Sequence, residues 1–224
     1  MVWTDKINQV WCGDCLELMK EMPDKSIDLI VTDPPFGMTF RSNYRQIKYA
    51  KIENDDNLDW LPQVAKELYR VAKENSHSYI FCSFHNIDIF KQKFAGGGWR
   101  VKNILIWYKN NTGMGDLEGD YAPQYEMILF ITKGNKKLSG GRDSNILRAK
   151  KTGNNLHPTE KPEDLIAYLI SKSSEVNNLI FDPFMGSWTT ARACMDLGRN
   201  FIGAELSPEY CEIGKNRLRQ QILI

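Results

Sequence analysis

The sequence predicts an α/β protein, a mostly parallel sheet of seven strands with helices on both faces. Three observations predict it. Short apolar and β-branched stretches alternate with longer stretches of helical period. One pair of predicted strands has no helix between its members, so those two are expected to be antiparallel neighbours. Two other strands run directly into tight turns rich in Pro or Gly, a pattern that delivers polar groups to one edge of a sheet.

Ile7–Trp11 is the first predicted strand, and Leu16–Glu21 the first helix, with Asp14 as its N-cap. Asp28–Thr32 follows as an apolar strand, then a helix over Leu58–Val71 with Asn57 as its cap. Ser78–Phe84 is a strand and Ile87–Phe94 a helix. Val101–Tyr108 and Tyr125–Thr132 form the expected hairpin, joined by the glycine-rich, non-helical KNNTGMGDLEGD. The remaining elements are helix Glu163–Lys172, strand Leu179–Phe181, helix Thr189–Leu197, strand Asn200–Glu205 and helix Pro208–Gln220, the last capped by Ser207. Between Tyr125–Thr132 and the next helix, Lys133–Leu156 has no clear period. A stretch of that length without its own structure is unusual in a compact domain unless it binds something.

Composition narrows the function classes. The chain has 224 residues, 42% hydrophobic and 25% charged, which fits one globular domain over 1–224 and excludes disordered and collagen-like chains. No run of eighteen apolar residues occurs, so nothing is expected to span a bilayer. The first residues (MVWTDKINQVW) lack the basic-then-apolar pattern of a signal peptide. Five cysteines, an odd number, suggest no disulfide framework, and a reducing cytoplasmic compartment fits best. Cys12 and Cys15 form a C-x-x-C with no second pair or nearby His to complete a zinc site, so no metal is expected. Net charge is +1, which as a total argues against a wholesale electrostatic binder of nucleic acid.

Four motifs carry chemistry. Phe181–Thr190 (FDPFMGSWTT) joins a strand to a helix, and a tight turn there would present backbone N–H groups and a helix N-terminus to a ligand. Glu205 ends the next strand nineteen positions after Gly186, where an acidic residue usually grips ribose hydroxyls in nucleoside-cofactor folds. Thr32-Asp33-Pro34-Pro35-Phe36-Gly37 ends another strand. Its two prolines remove donors and fix φ, leaving the Asp33 carboxylate and the Pro34 carbonyl as a rigid pair of acceptors beside the Phe36 ring. His157-Pro-Thr-Glu-Lys-Pro162 precedes a helix, and Gly13-Asp14 follows the first strand. Each has a bland reading as a turn or a helix start.

In combination, D-P-P-F, then HPTEKP, then DPF-x-G-S-x-T-T resembles the amino-group DNA methyltransferases that use S-adenosylmethionine, in their β-class order. The likeness runs from Val10 to about Arg217. It implies a Rossmann-like, seven-stranded, mostly parallel methyltransferase sheet with an antiparallel edge hairpin and a target-recognition segment inserted over 109–156. Carried over by position, Asp182, Phe184, Gly186 and Ser187 would form the turn at the methionine side of the cofactor, with Thr189 and Thr190 opening the helix. Glu205 would take the ribose hydroxyls, and Asp14 and Cys15 the adenine. His157, Pro158, Thr159 and Lys161 would approach the amino-acid end. Asp33, Pro34, Pro35 and Phe36 would hold the target base. The family commonly reads G-S-G-T-T in the cofactor turn, and here Trp188 replaces the second glycine. The favoured expectation is that Trp188 points away into packing; the alternative is a narrowed pocket.

The resemblance implies transfer from S-adenosylmethionine to the N6 amine of a flipped adenine, with N4 of cytosine or an impaired cofactor- or DNA-binding subunit as alternatives. Methylation at cytosine C5 needs a cysteine nucleophile in a Pro-Cys pair, and none of the five cysteines follows a proline. An RNA methyltransferase is a further alternative. A nicotinamide dehydrogenase is disfavoured, since G-S-W-T-T lacks the spaced glycines of that fingerprint. The expected partner is double-stranded DNA, in company with a cognate restriction endonuclease and as a homodimer in related systems, and no membrane. Charge suggests the DNA contacts. Arg41–Lys51 carries +4, with Arg41, Arg45 and Lys48 beside Tyr44. Lys133–Lys151 carries +6, from Lys133, Lys136, Lys137, Arg142, Arg148, Lys150 and Lys151 against one acid. The rest of the chain is therefore −9, and near-neutrality is a cancellation.

Overall fold

The computed structural model describes residues 3–37, 57–112, 118–152 and 160–219. Arg41, Tyr44, Arg45 and Lys48, and His157, Pro158 and Thr159, lie outside them. The described strands are β1 (Gln9–Cys12), β2 (Ile27–Thr32), β3 (Ala72–Cys82), β4 (Arg100–Tyr108), β5 (Tyr125–Lys133), β6 (Ile146–Arg148), β7 (Leu179–Asp182) and β8 (Asn200–Glu205). The helices are α1 (Cys15–Glu21), α2 (Leu61–Val71), α3 (Ile87–Gly96), α4 (Glu163–Ser173), α5 (Thr189–Asp196) and α6 (Pro208–Arg219). They build one sheet in the order β1-β8-β7-β2-β3-β5-β4-β6. Only β5 runs against its neighbours. The expected α/β sheet and its hairpin are present, with one strand more than expected: β6 adds three residues, parallel to β4, outside the hairpin.

Strands β2 and β7 are largely buried on both faces, which is why each reads as a short, mostly apolar run. On one face, Ile27, Ile30 and Phe181 meet Leu18 of α1, Leu61 and Leu68 of α2, and Phe90 of α3. On the other, Leu29, Val31 and Ile180 meet Leu165 and Leu169 of α4, Ala191 of α5 and Cys211 of α6. The sheet thus separates two cores, and each helix completes one of them.

Three boundaries depart from the sequence expectation for local reasons. β3 begins at Ala72 rather than Ser78, and its register to β2 shifts between Ile27 and Leu29. Asn75, with φ 58° in the left-handed region, lies within the irregular stretch of polar residues that hides the strand. α2 starts at Leu61, not Leu58, because Asn57 Oδ1 accepts from the Asp59 N–H and makes a turn ahead of the helix. Cys12 is disulfide-bonded to Cys211 of α6, with Cα atoms 6.2 Å apart. That corrects the cysteine expectation, since the partner of Cys12 is 199 residues away rather than in the C-x-x-C. Cys15, Cys82 and Cys194 are free and buried. No described helix is long and apolar enough to cross a membrane, and no described cluster of His, Cys, Asp and Glu could hold a metal ion.

Lys133 is a second correction. It ends β5 only 4% exposed, and its Nζ donates to the carbonyls of Tyr69 and Ala72 at 2.8 and 2.9 Å. A lysine so bound cannot reach a phosphate. It also stands towards the wrong edge, paired with Ser76 in the first half of β3, whereas Thr32 beside Asp33 pairs with Ile80 near its end. Replacing it strands two carbonyls, so Lys133→Ala is expected to lower unfolding free energy by about 1–3 kcal/mol in denaturant titration. The salt slope of DNA binding should not change; a reduced slope would restore Lys133 as a phosphate contact.

Candidate active site

The chain leaves β7 towards β8 and leaves β2 towards β3, in opposite directions along the sheet. The crevice between their carboxyl ends is therefore the switch point at which such sheets bind ligands. Both Pro- and Gly-rich turns open there. Asp182 fastens them together: Oδ1 accepts from Thr32 Oγ1 at 2.7 Å and from the Phe184 N–H at 3.1 Å, and Oδ2 from Thr190 Oγ1 at 2.6 Å. Burial pushes the Asp182 carboxyl up to about 6, against the pull of these donors. With both oxygens engaged, Asp182 builds the turn.

The cofactor-type turn folds back on β8, with the Met185 N–H on the Ala204 carbonyl at 2.9 Å. Gly186 takes φ 53°, a conformation glycine adopts freely. Its N–H donates to Glu205 Oε2 at 2.8 Å, and the Ser207 N–H to Oε1 at 2.8 Å. Burial raises the Glu205 carboxyl above its ordinary range while these N–H groups hold it back. The Gly13 N–H reaches the Glu205 carbonyl at 2.9 Å. This places Asp14, exposed and capping α1 through the Leu16 N–H, beside the tip of β8. Cys15 next to it is buried, and burial pushes its thiol up to about 12. Phe184 packs on Trp60 with ring centroids 5.3 Å apart.

Trp188 resolves the departure in this turn. It is 5% exposed and belongs to the core on the α4–α6 face. Its ring lies over Gly214 of α6, where an added Cβ would stand inside the indole. The side chain points into packing, as favoured. The backbone keeps the left-handed conformation a glycine would have used, φ 63° and ψ 29°, at roughly 1–2 kcal/mol for a residue with a Cβ.

Arg217 of α6 was not legible as a site residue. Nη1 donates to the Ser187 carbonyl and Oγ at 3.0 and 3.1 Å and to Thr189 Oγ1 at 3.1 Å, and the guanidinium pairs with Glu160 and Glu163 at 2.9 and 2.6 Å. It therefore ties the cofactor-type turn to the HPTEKP segment. Only its place on the last helical pattern was predictable.

The D-P-P-F turn lies across the crevice. Asp33 Oδ2 is ion-paired with Lys161, and Oδ1 is buried without a hydrogen-bond partner among the described residues. Burial pushes the Asp33 carboxyl up to about 6; Lys161 opposes the rise, and Glu126 and Asp182 add to it. Burial alone would lower Lys161, but the two carboxylates around it hold its pKa above the ordinary lysine value. The resemblance had sent Lys161 to the cofactor; here it is engaged with Asp33. Pro34 is buried, and the Phe36 carbonyl accepts from Asn86 Nδ2. The basic segment divides. Lys136, whose carbonyl meets His77 Nε2 at 3.1 Å, and Lys137 lie with Lys133 at the far edge; Arg142 follows Gly141, held by Lys172 at the end of α4. Arg148 ends β6, and Lys150 and Lys151 follow it, at the same carboxyl edge of the sheet on which the crevice opens, and Arg148 stacks over Tyr108 at 4.8 Å.

A family model described as DNA methylase matches residues 27–216, which takes in both turns and the segment between them. The chain belongs to this family of DNA methylases. Among relatives, the DNA adenine methyltransferase YhdJ of Escherichia coli (strain K12) is 30% identical over 245 residues, covering 92% of this chain and 81% of YhdJ. The solved complex of M1.HpyAVI with SAM is 29% identical with TM-score 0.73, over 93% of this chain and 98% of the other. The PvuII DNA methyltransferase, cytosine-N4-specific, shares the fold at TM-score 0.78 and 20% identity, over 93% of this chain and 85% of its own. For this methylase the Trp188–Gly214 contact gives a direct check. Gly214→Ala is expected to cost about 1–3 kcal/mol by scanning calorimetry, with part of the loss recovered in Trp188→Gly/Gly214→Ala. An unchanged melting temperature in the single variant would mean that the indole does not pack there.

Proposed function

We propose that this chain is a site-specific DNA methyltransferase that moves a methyl group from S-adenosylmethionine to the exocyclic N6 amine of an adenine turned out of the duplex. One observation carries the reading: Asp33 presents a buried Oδ1 at the switch point, without a partner among the described residues, while Lys161 holds its other oxygen. A buried acceptor without a donor is costly unless a ligand completes it.

The residues around the crevice suit S-adenosylmethionine. Glu205 offers a carboxylate for ribose hydroxyls, Asp14 an exposed acceptor beside it, and the turn at α5 a helix N-terminus for the amino-acid end. When bound, the cofactor supplies a methyl group on a positively charged sulfur. The chain supplies placement. An exocyclic amine is a poor nucleophile because its lone pair is delocalised into the ring. Asp33 Oδ1 and the Pro34 carbonyl accept hydrogen bonds from its two N–H groups, draw the nitrogen towards tetrahedral geometry and aim the lone pair at the methyl carbon. A new C–N bond would form as the methyl C–S bond breaks, its electron pair returning to sulfur to leave a neutral thioether. The nitrogen would shed a proton that the Asp33 carboxylate, titrating near 6, can take up. The base must leave the stack to enter this crevice, with Phe36 as its stacking partner.

Adenine is favoured because the turn reads D-P-P and because YhdJ, which matches along most of the chain, is an adenine methyltransferase by name. N4 of cytosine is the second reading, and the fold shared with the PvuII enzyme supports it. The impaired-subunit reading loses its motive, since Trp188 is turned into the core. For DNA contacts the crevice edge offers Arg148, Lys150 and Lys151 with the exposed rings of Tyr108, Tyr121 and Tyr125. The recognition role proposed for 109–156 therefore falls on its parts outside β5 and β6.

Modification-aware sequencing of DNA from cells expressing the protein tests the base directly: 6-methyladenine at one site is expected, and 4-methylcytosine would overturn adenine. Asp33→Ala should lower turnover by at least about 10²-fold with cofactor binding still measurable by calorimetry. In the parent enzyme the carboxylate is the active form. Turnover should therefore fall as pH drops through about 6, and a profile flat to pH 5 would remove Asp33 from the step.

A further inference from the structure

Glu126 belongs to no motif, yet it reaches the centre of the site. It is the second residue of β5, opposite Trp107 of β4. Its Oε1 accepts from Lys109 Nζ at 2.6 Å, and its Oε2 stands 3.5 Å from Lys161 Nζ. Lys161 is 6% exposed and sits over the Phe81 ring at 5.1 Å, so it has left water behind. One buried ammonium is thus shared by two carboxylates, Asp33 and Glu126, and a second ammonium closes the outer side.

We propose that Glu126, steadied by Lys109, is a positioning residue for methyl transfer: it holds Lys161 against Asp33 Oδ2 and so leaves Oδ1 as the oxygen that receives the substrate amine. The substrate in this statement rests on the methyltransferase reading above. A lone lysine beside Asp33 could swing between its two oxygens; a lysine with a second carboxylate on its other side cannot do so without breaking a buried ion pair. The set of Asp33, Glu126, Lys161 and Lys109 is electrically neutral, which lets it persist in a partly dry crevice. Among the described residues Asp182 also faces Asp33, and its negative charge adds to the rise of the Asp33 carboxyl. Asp182 has its oxygens occupied by Thr32 and Thr190, and the Cys82 thiol is pushed up to about 12 by burial.

The arrangement makes two variants move Asp33 in opposite directions. Glu126→Gln removes a negative charge near Asp33, so the carboxyl should titrate about one pH unit lower. Lys109→Gln removes a positive charge and frees Glu126 to draw Lys161 away, so Asp33 should titrate higher. Both midpoints can be read in the free protein by carbon-13 NMR of the aspartate carboxyls, with Asp33→Asn to assign the signal. Turnover in Glu126→Gln should fall roughly ten- to a hundredfold, with the KM for S-adenosylmethionine unchanged and the acid limb displaced with the NMR midpoint. Midpoints that stay put in both variants, or unchanged turnover in Glu126→Gln, would overturn the proposal. If Glu126→Gln does not fold, an unmoved midpoint in Lys109→Gln is enough to overturn it. Opposite shifts together with a parent protein that methylates neither DNA nor RNA would leave the ion-pair coupling standing and remove the methyltransferase reading instead.

Discussion

The Asp182 carboxylate holds the two halves of this molecule at one point. It accepts from Thr32 at the end of β2, and from Phe184 and Thr190 on the far side of the cofactor-type turn. Asp33 follows Thr32 directly, so the placement of the Asp33 carboxylate and of the cofactor-type turn depends on the same two oxygens. Buried hydrogen bonds to a carboxylate are strong and directional. They fix the separation between the two turns in a way that the apolar cores beneath could not, because hydrophobic burial has no direction.

Charge in this protein does structural work that its totals conceal. Lys133, Lys161 and Arg217 are each buried or nearly so, and each spends its charge on carbonyls or carboxylates inside the fold. None of the three can count towards attraction for a polyanion. The net charge of +1 is then a poor measure in both directions. It averages an acidic scaffold with basic segments, and it credits the surface with cations that water and phosphate never meet. Position relative to the sheet edge decides which lysines and arginines are available.

Most of the sheet was legible because its strands are short apolar runs bounded by Pro, Gly and polar residues, and because helices between them carry a clean period. What escaped shares a physical cause. β6 is three residues long, too short for any period, and exists because β4 has a free edge. The start of β3 is polar and irregular around Asn75. The Asp33–Lys161 pair spans 128 residues and the Cys12–Cys211 bond 199, so nothing local records them. Of the candidate site, the turns were readable because their chemistry is local: a carboxylate, two prolines, a glycine at a helix start. Glu126, Lys109 and Arg217 act only through space, on groups that other elements deliver.

The pairing of β1 with β8 has a consequence for how the protein comes into being. The second outermost position of the sheet belongs to the last strand made, and the first strand made waits outside it. During synthesis β1 can find no partner until residues 200–205 have been translated, some two hundred residues later. The D-P-P-F turn after β2 can form earlier, but the side of the crevice that faces it closes only once residues 200–205 have been made. A nascent product that stops short of residue 200 therefore leaves both β1 and the Glu205 side of the crevice unbuilt.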